Sequence, residues 1–309
     1  MQNTAPRSGP VIKDRLTVSV HGAPPVWSPR LGGVERYGVF LQGALSARGQ
    51  LSADGLRFGL RAVPEMAVVR TGDGCSAAWA LACGRRGRAV ERRVDIEREV
   101  YRSVPVIATS ARVEDELRAH YGVDARLVLH NPARLGVIDD GPQGDRPKGS
   151  RPTIVLVGHG FERRGLGVWL SALRRHPGLR AFETLVIGRD ASVWFWRLRA
   201  AGLPVRFLGP VDSCPYIAAA ALVVHPARYE PYGNVIAEAV SRGVPVVASD
   251  ACGAAALLHP DHVWPVLAGQ DDLSARVVSA LSRPRPPVLF PPSAEAHLET
   301  LCRFLETLA

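Results

Sequence analysis

The sequence predicts an α/β protein of two Rossmann-like domains, each a parallel sheet with helices on both faces. Three observations lead there. Short, nearly continuous apolar runs alternate with segments of helical apolar spacing, the pattern of strands buried on both faces. At 309 residues the chain exceeds what one core usually organises, so two domains of about 150 residues each are expected. Residues 136–152, GVIDDGPQGDRPKGSRP, are rich in Gly, Pro and charge and poor in apolar groups, the composition of an interdomain linker.

The elements follow in order. Residues 1–15 are polar and ragged and are expected to be disordered. LTVSVHG is a β-rich run, followed by a turn-forming stretch and by VERYGVFLQGALSARG with helical spacing. LRFGLRAVPEMAVVR holds one or two strands; CSAAWALACGRR and VERRVDIEREVYRS read as helices; PVIATS is a buried strand. ARVEDELRAHYG is a helix with acidic early turns and Gly122 past its end, and RLVLHNPA closes an N-terminal domain over 16–135. Residues 153–309 alternate more plainly. TIVLVG, FETLVIG, VRFLG, LVVHP and PVVASD are strands, and LGVWLSALRRH, SVWFWRLRAAG, SCPYIAAA, NVIAEAVSRG and DDLSARVVSALSR are helices. The Pro-rich 283–293 then connects to a last helix, EAHLETLCRFLETL, assigned to the C-terminal domain.

Composition excludes several classes. No window reaches the roughly 18 to 20 apolar residues of a membrane span, and no apolar signal core opens the chain, so a cytoplasmic location is expected. The five cysteines are scattered and never form C-x-x-C, which argues for reduced thiols rather than a disulfide framework or a zinc site. The net charge of +9 is almost all arginine, since only Lys13 and Lys148 are lysines, and base composition of the genome explains that as well as ligand selection does. Glu91, Glu97 and Glu99 interleave the basic stretch GRRGRAVERRVDIEREVYR, so a salt-bridged solvated face is its first reading and a membrane-surface patch its second. Trp194 and Trp196 read as helix-packing aromatics, and His225 as a packed strand-end histidine. There is no G-x-x-x-x-G-K-S/T, no H-E-x-x-H and no D-x-D.

In an open parallel sheet, ligands bind beyond the carboxyl ends of the strands, so the loops after TIVLVG and LVVHP carry the candidate site. The first is HGFERRG, whose Arg163 and Arg164 can hold a diphosphate. The second is ARYEPYGNV, with Gly233 and Asn234 at a helix start where free N–H groups favour an anion. Glu230 and Glu238 lie eight positions apart across that loop. A carboxylate accepts two bonds from a vicinal diol, so Glu238 suits a ribose and Glu230 the hydroxyls of a sugar, with the diphosphate between them. The ligand this describes is a nucleotide-sugar.

EPYGNVIAE, AVSRGVPVVASD, FERRGL and GGVERY together resemble family 4 retaining glycosyltransferases of GT-B fold, and DACGAAALL and RTGDGCSAAW resemble most the branch containing bacterial lipopolysaccharide-core glucosyltransferases. The resemblance covers 153–282 nearly completely and the N-terminal part in patches. It implies Glu238 at the donor ribose, Glu230 at the donor sugar, and Arg163 and Arg164 on the diphosphate. It also implies Gly32 and Gly33 near the phosphate, Tyr232, Gly233, Asn234 and Val235 around the donor, and Asp73 towards the acceptor. Retention is then front-face attack, with the departing phosphate taking the acceptor's proton, with no metal and no cofactor beyond a UDP- or GDP-sugar donor. The implied acceptor is a cell-envelope glycan or glycolipid, which brings peripheral membrane contact with it and no nucleic acid. Relatives often carry lysine at Arg164 and histidine at Ser76. Only about twenty residues separate the first helix from RTGDG, so the N-terminal domain is expected to be abridged. That shortening keeps a non-catalytic nucleotide-sugar-binding relative in view, and the pI alone keeps a nucleic-acid-binding protein.

Overall fold

The computed structural model describes residues 16–24, 33–133 and 151–309, so the expectations for 1–15, for Gly32 and for nearly all of the linker fall outside the described residues. The N-terminal domain is built on five parallel strands in chain order: β1 (Val18–His21), β2 (Leu56–Gly59), β3 (Val68–Arg70), β4 (Val106–Ala108) and β5 (Leu127–Val128). Its helices are α1 (Gly33–Ala47), α2 (Ser76–Cys83), α3 (Arg88–Ser103) and α4 (Ala111–Tyr121). Local chemistry fixes their ends. Ser110 caps α4 by accepting the Val113 N–H; Gly122, expected past its end, stops it in the left-handed conformation.

The abridgement has a structural trace. Parallel neighbours normally need a crossover of a dozen or more residues, yet β2 and β3 are joined by residues 60–67 alone. Within that tight passage Glu65 takes φ +65°, the one described non-glycine residue with positive φ.

The C-terminal domain carries β6 (Thr153–Val157), β7 (Glu183–Ile187), β8 (Val205–Gly209), β9 (Leu222–His225), β10 (Val246–Ser249) and β11 (Val263–Trp264) in a parallel sheet of order β11-β10-β9-β6-β7-β8. Helices α5 (Leu166–Arg175), α6 (Val193–Arg199), α7 (Cys214–Ala218), α8 (Asn234–Val240) and α9 (Gly269–Ser282) accompany it. Two apolar clusters are built on this sheet, one with α8 and one with α5 and α9.

Three expectations are corrected. The last helix, α10 (Ala294–Glu306), belongs to the N-terminal core: its Leu298, Leu301 and Leu305 pack with Tyr37, Leu41 and Leu45 of α1. The C-terminal sheet already has its clusters, while the shortened N-terminal sheet leaves apolar surface beside α1 for the stripe at 298, 301, 302 and 305 to cover. Glu97 leaves the solvated face of α3 and turns inward, accepting the Ser76 N–H at 2.8 Å and the Tyr121 hydroxyl at 2.5 Å. Trp196 is buried as expected, but Trp194 is 69% exposed, since only every third or fourth position of so short a helix reaches the core. Among the described residues no helix is long and apolar enough to cross a membrane.

Candidate active site

The strand order of the C-terminal sheet reverses between β6 and β9, which pair directly through Ile154 with Leu222 and Val155 with Val223. Their following loops therefore leave the sheet side by side, at the switch point where such folds open a crevice. The N-terminal domain closes the crevice into a cavity of about 290 Å³. Arg163 and Arg164 enter it from the loop after β6, and Glu230, Tyr232 and Gly233 from the loop after β9. Asn234, Val235 and Glu238 line it from α8, and Gly33 and Asp73 from the opposite domain. Every predicted site residue that is described thus faces one cavity.

Two glycines show why the chain can make this approach. Gly33 starts α1 against the partner domain, and a Cβ there would stand 2.8 Å from Asn234 Nδ2. Gly74, at φ +80°, sits under the Tyr229 hydroxyl, which a Cβ would meet at 2.3 Å. The loop after β9 is then fastened to the N-terminal domain group by group. The Tyr229 hydroxyl accepts the Cys75 N–H at 2.7 Å and donates to Glu116 at 2.9 Å. Ser110 donates to the Pro231 carbonyl, Tyr232 to the Asn131 carbonyl, and the Asn131 amide to Asn234 Oδ1 at 2.6 Å.

Charge in the cavity is paired across short distances. Arg164 and Glu230 are in direct contact, and Arg163 Nη1 lies 3.9 Å from the same carboxylate. Burial and the neighbouring Arg163 cation draw Arg164 down to about 9, so it is charged at neutral pH with Glu230 beside it. His225, fully enclosed at the end of β9, is held well below the usual imidazole range by burial and by both arginines. It is neutral, with Nε2 3.5 Å from Arg164 Nη1. Glu238 is 3% exposed; burial raises its pKa, and Arg36 Nη1 at 3.6 Å works against that rise. Asp73 bonds Arg61 at 2.6 Å, and Arg61 also contacts Glu35.

Sequence reasoning missed Arg36, Arg61, Asn131 and the fastening role of Tyr229. Arg36 was within reach, because it lies one turn into the helix that GGVERY opens. Arg61 and Asn131 follow strands too short to announce their ends.

Two parallel-sheet domains meeting over a switch-point cavity lined by five arginines and five carboxylates have the GT-B architecture. Residues 151–283 match the family described as Glycosyl transferases group 1, so the C-terminal domain belongs to that family. In sequence, the chain is 33% identical over 140 residues to the lipopolysaccharide glucosyltransferase WaaG of Escherichia coli strain K12, covering 42% of this chain and 37% of that protein. It is 32% identical over 101 residues to the lipopolysaccharide core biosynthesis glycosyltransferase LpsE of Rhizobium meliloti strain 1021, covering 32% of this chain and 29% of that protein. The chain therefore aligns with little more than a third of the first relative and less than a third of the second. In structure, the crystal structure of WaaG aligns with a TM-score of 0.67 at 19% identity over 94% of this chain and 95% of that one. HepE of Anabaena, in complex with UDP and glucose, aligns with a TM-score of 0.66 at 14% identity over 95% of this chain and 100% of that one.

Proposed function

We propose that this protein is a retaining hexosyltransferase that moves a sugar from a nucleoside-diphosphate sugar to a cell-envelope glycan or glycolipid at the inner face of a membrane. The observation that carries the reading is the convergence of Arg163, Arg164, Glu230 and Glu238 on one interdomain cavity. A diphosphate seated there shares Arg164 with Glu230, and a ribose competes with Arg36 for Glu238. Catalysis then rests on stabilising the charge that grows on the departing phosphate, which the half-buried arginine pair does from fixed positions. The departing phosphate oxygen accepts the proton of the attacking hydroxyl, so neutral His225 orients Arg164 and takes no proton. The arginine pair does the work a divalent ion does elsewhere, and metal-independent activity is part of the proposal. The likeness to a lipopolysaccharide glucosyltransferase, and to a protein that binds UDP and glucose, supports a UDP-hexose as the first donor to try. Incubation with a panel of UDP- and GDP-sugars, scoring released nucleoside diphosphate, tests the reading. Release from at least one donor is expected, and failure to bind either UDP or GDP by titration would overturn it.

A further inference from the structure

Arg70 ends β3 and forms part of the cavity wall at 2% exposure. Its Nη2 donates to the Leu129 carbonyl at 2.9 Å and to Asn131 Oδ1 at 2.6 Å, and its guanidinium carbon lies 4.2 Å from the centre of the Tyr37 ring. All three partners are neutral. Its Nε is buried with no hydrogen-bond partner among the described residues. The five carboxylates of the cavity are engaged elsewhere: Glu35 and Asp73 on Arg61, Glu238 on Arg36, Glu230 on Arg164, and Asp212 accepts the Cys214 N–H. Two neutral oxygens and a ring face offset only part of the cost of desolvating a guanidinium, and an anion would supply the rest.

The surroundings deepen the imbalance. Burial and the Arg70 charge lower the pKa of both His130 and His297, and an imidazole supplies no negative charge in either protonation state. Arg70 also lies where a ligand is expected, because Thr109 and Asn131, at the ends of β4 and β5, line the cavity beside it. These are the carboxyl ends of three adjacent strands in the domain opposite the donor residues.

We infer that Arg70, with Thr109 and Asn131, forms a subsite for an anionic group, phosphate or carboxylate, carried by the sugar acceptor. The inference rests on the glycosyltransferase reading and narrows it: the acceptor is a charged sugar. Diphosphate binding by Arg163 and Arg164 is a separate event on the other domain, so the two can be measured apart.

The test is calorimetric titration of the full chain, saturated with UDP so that the arginine pair is occupied, with glucose 6-phosphate, glucuronate and glucose. The charged sugars are expected to bind at least about tenfold more tightly than glucose, in line with a charge-assisted bond. The stronger of the two names the acceptor's anion. Arg70→Gln should abolish the preference, Arg70→Lys should keep part of it, and UDP affinity should stay within about threefold in both. If the glutamine variant melts before binding can be read, the lysine variant against the native chain decides. Equal binding of charged and neutral sugars by the native chain, or a preference surviving in Arg70→Gln, would overturn the subsite. Failure of UDP to bind the native chain would instead count against the donor reading, and the same titrations without nucleotide would then decide the Arg70 subsite alone.

Discussion

The two domains share one architecture and spend their residues differently. The C-terminal domain has six strands, most of them four or five residues long, and places its arginines and carboxylates on loops after two hydrogen-bonded strands. The N-terminal domain has five shorter strands, crosses from β2 to β3 in eight residues through a strained Glu65, and borrows α10 to finish its core. One domain supports a site with its own core; the other is completed by a helix from the far end of the chain. The difference teaches that a short version of this fold suffices in the N-terminal domain, where only a few strand ends reach the cavity.

That contrast can be broken at its most exposed point, the borrowed helix. Leu301 is fully buried between α10 and α1, and Leu301→Ala should cost about 2 to 5 kcal/mol. The loss should fall on the N-terminal domain, so a second, earlier transition should split from the calorimetric melt. A single shifted transition would mean that the domains unfold as one unit. On the donor side, Arg164→Ala should lower the rate of donor cleavage by about 10²- to 10³-fold, with a smaller loss of affinity, because charge on the phosphate is larger in the transition state than in the bound donor. Arg164→Lys should recover part, and normal turnover in the alanine variant would remove Arg164 from the mechanism. Glu238→Ala should raise KM about ten- to a hundredfold through lost ribose bonds, and an unchanged KM with collapsed turnover would move Glu238 away from the ribose.

Acid should act on both domains, through buried His225 in one and His297 in the other, and His297 lets the second contribution be read alone. His297 donates from Nδ1 to the His130 carbonyl at 2.8 Å, which leaves Nε2 to accept from the Tyr37 hydroxyl at 2.9 Å. Burial and Arg70 pull its pKa down to about 3, far below the unfolded value near 6.5. Between those limits the unfolded chain binds the extra proton, so stability is complete above the unfolded pKa and falls as the pH drops below it, by at most about 1.4 kcal/mol per unit. The melting temperature of the native chain should fall between pH 6.5 and 5, and the slope should flatten in His297→Gln. The smallest effect is expected at the crossover: Glu65→Gly relieves a left-handed residue and should stabilise by no more than about 1 kcal/mol. Exhaustive chelation should leave donor cleavage unchanged, and a loss rescued by Mg²⁺ or Mn²⁺ would sink the metal-independent reading.

Much of this was legible in the sequence because the C-terminal strands are uninterrupted apolar runs and their following loops hold unusual residues. Gly233 before α8 and Gly122 after α4 marked helix ends for a steric reason that survives folding. What escaped notice depends on partners distant in the chain. Glu97 looks like any glutamate of a charged helix until Ser76 and Tyr121 are brought to it, and the apolar stripe of α10 cannot say which domain it will cover. Arg70 ends a three-residue strand and reads as a border residue until Tyr37, Leu129 and Asn131 enclose it.

The return of α10 has a mechanical side. α10 brings the chain back to the N-terminal core, and just ahead of it the Pro292 carbonyl accepts the Ala133 N–H at 3.2 Å. That tie adds to the bonds from Tyr229, Ser110 and Tyr232 in keeping the strand ends of the N-terminal domain facing the loops after β6 and β9. Cutting the chain ahead of α10 would remove one of these ties and leave the N-terminal core to hold its last helix by packing alone.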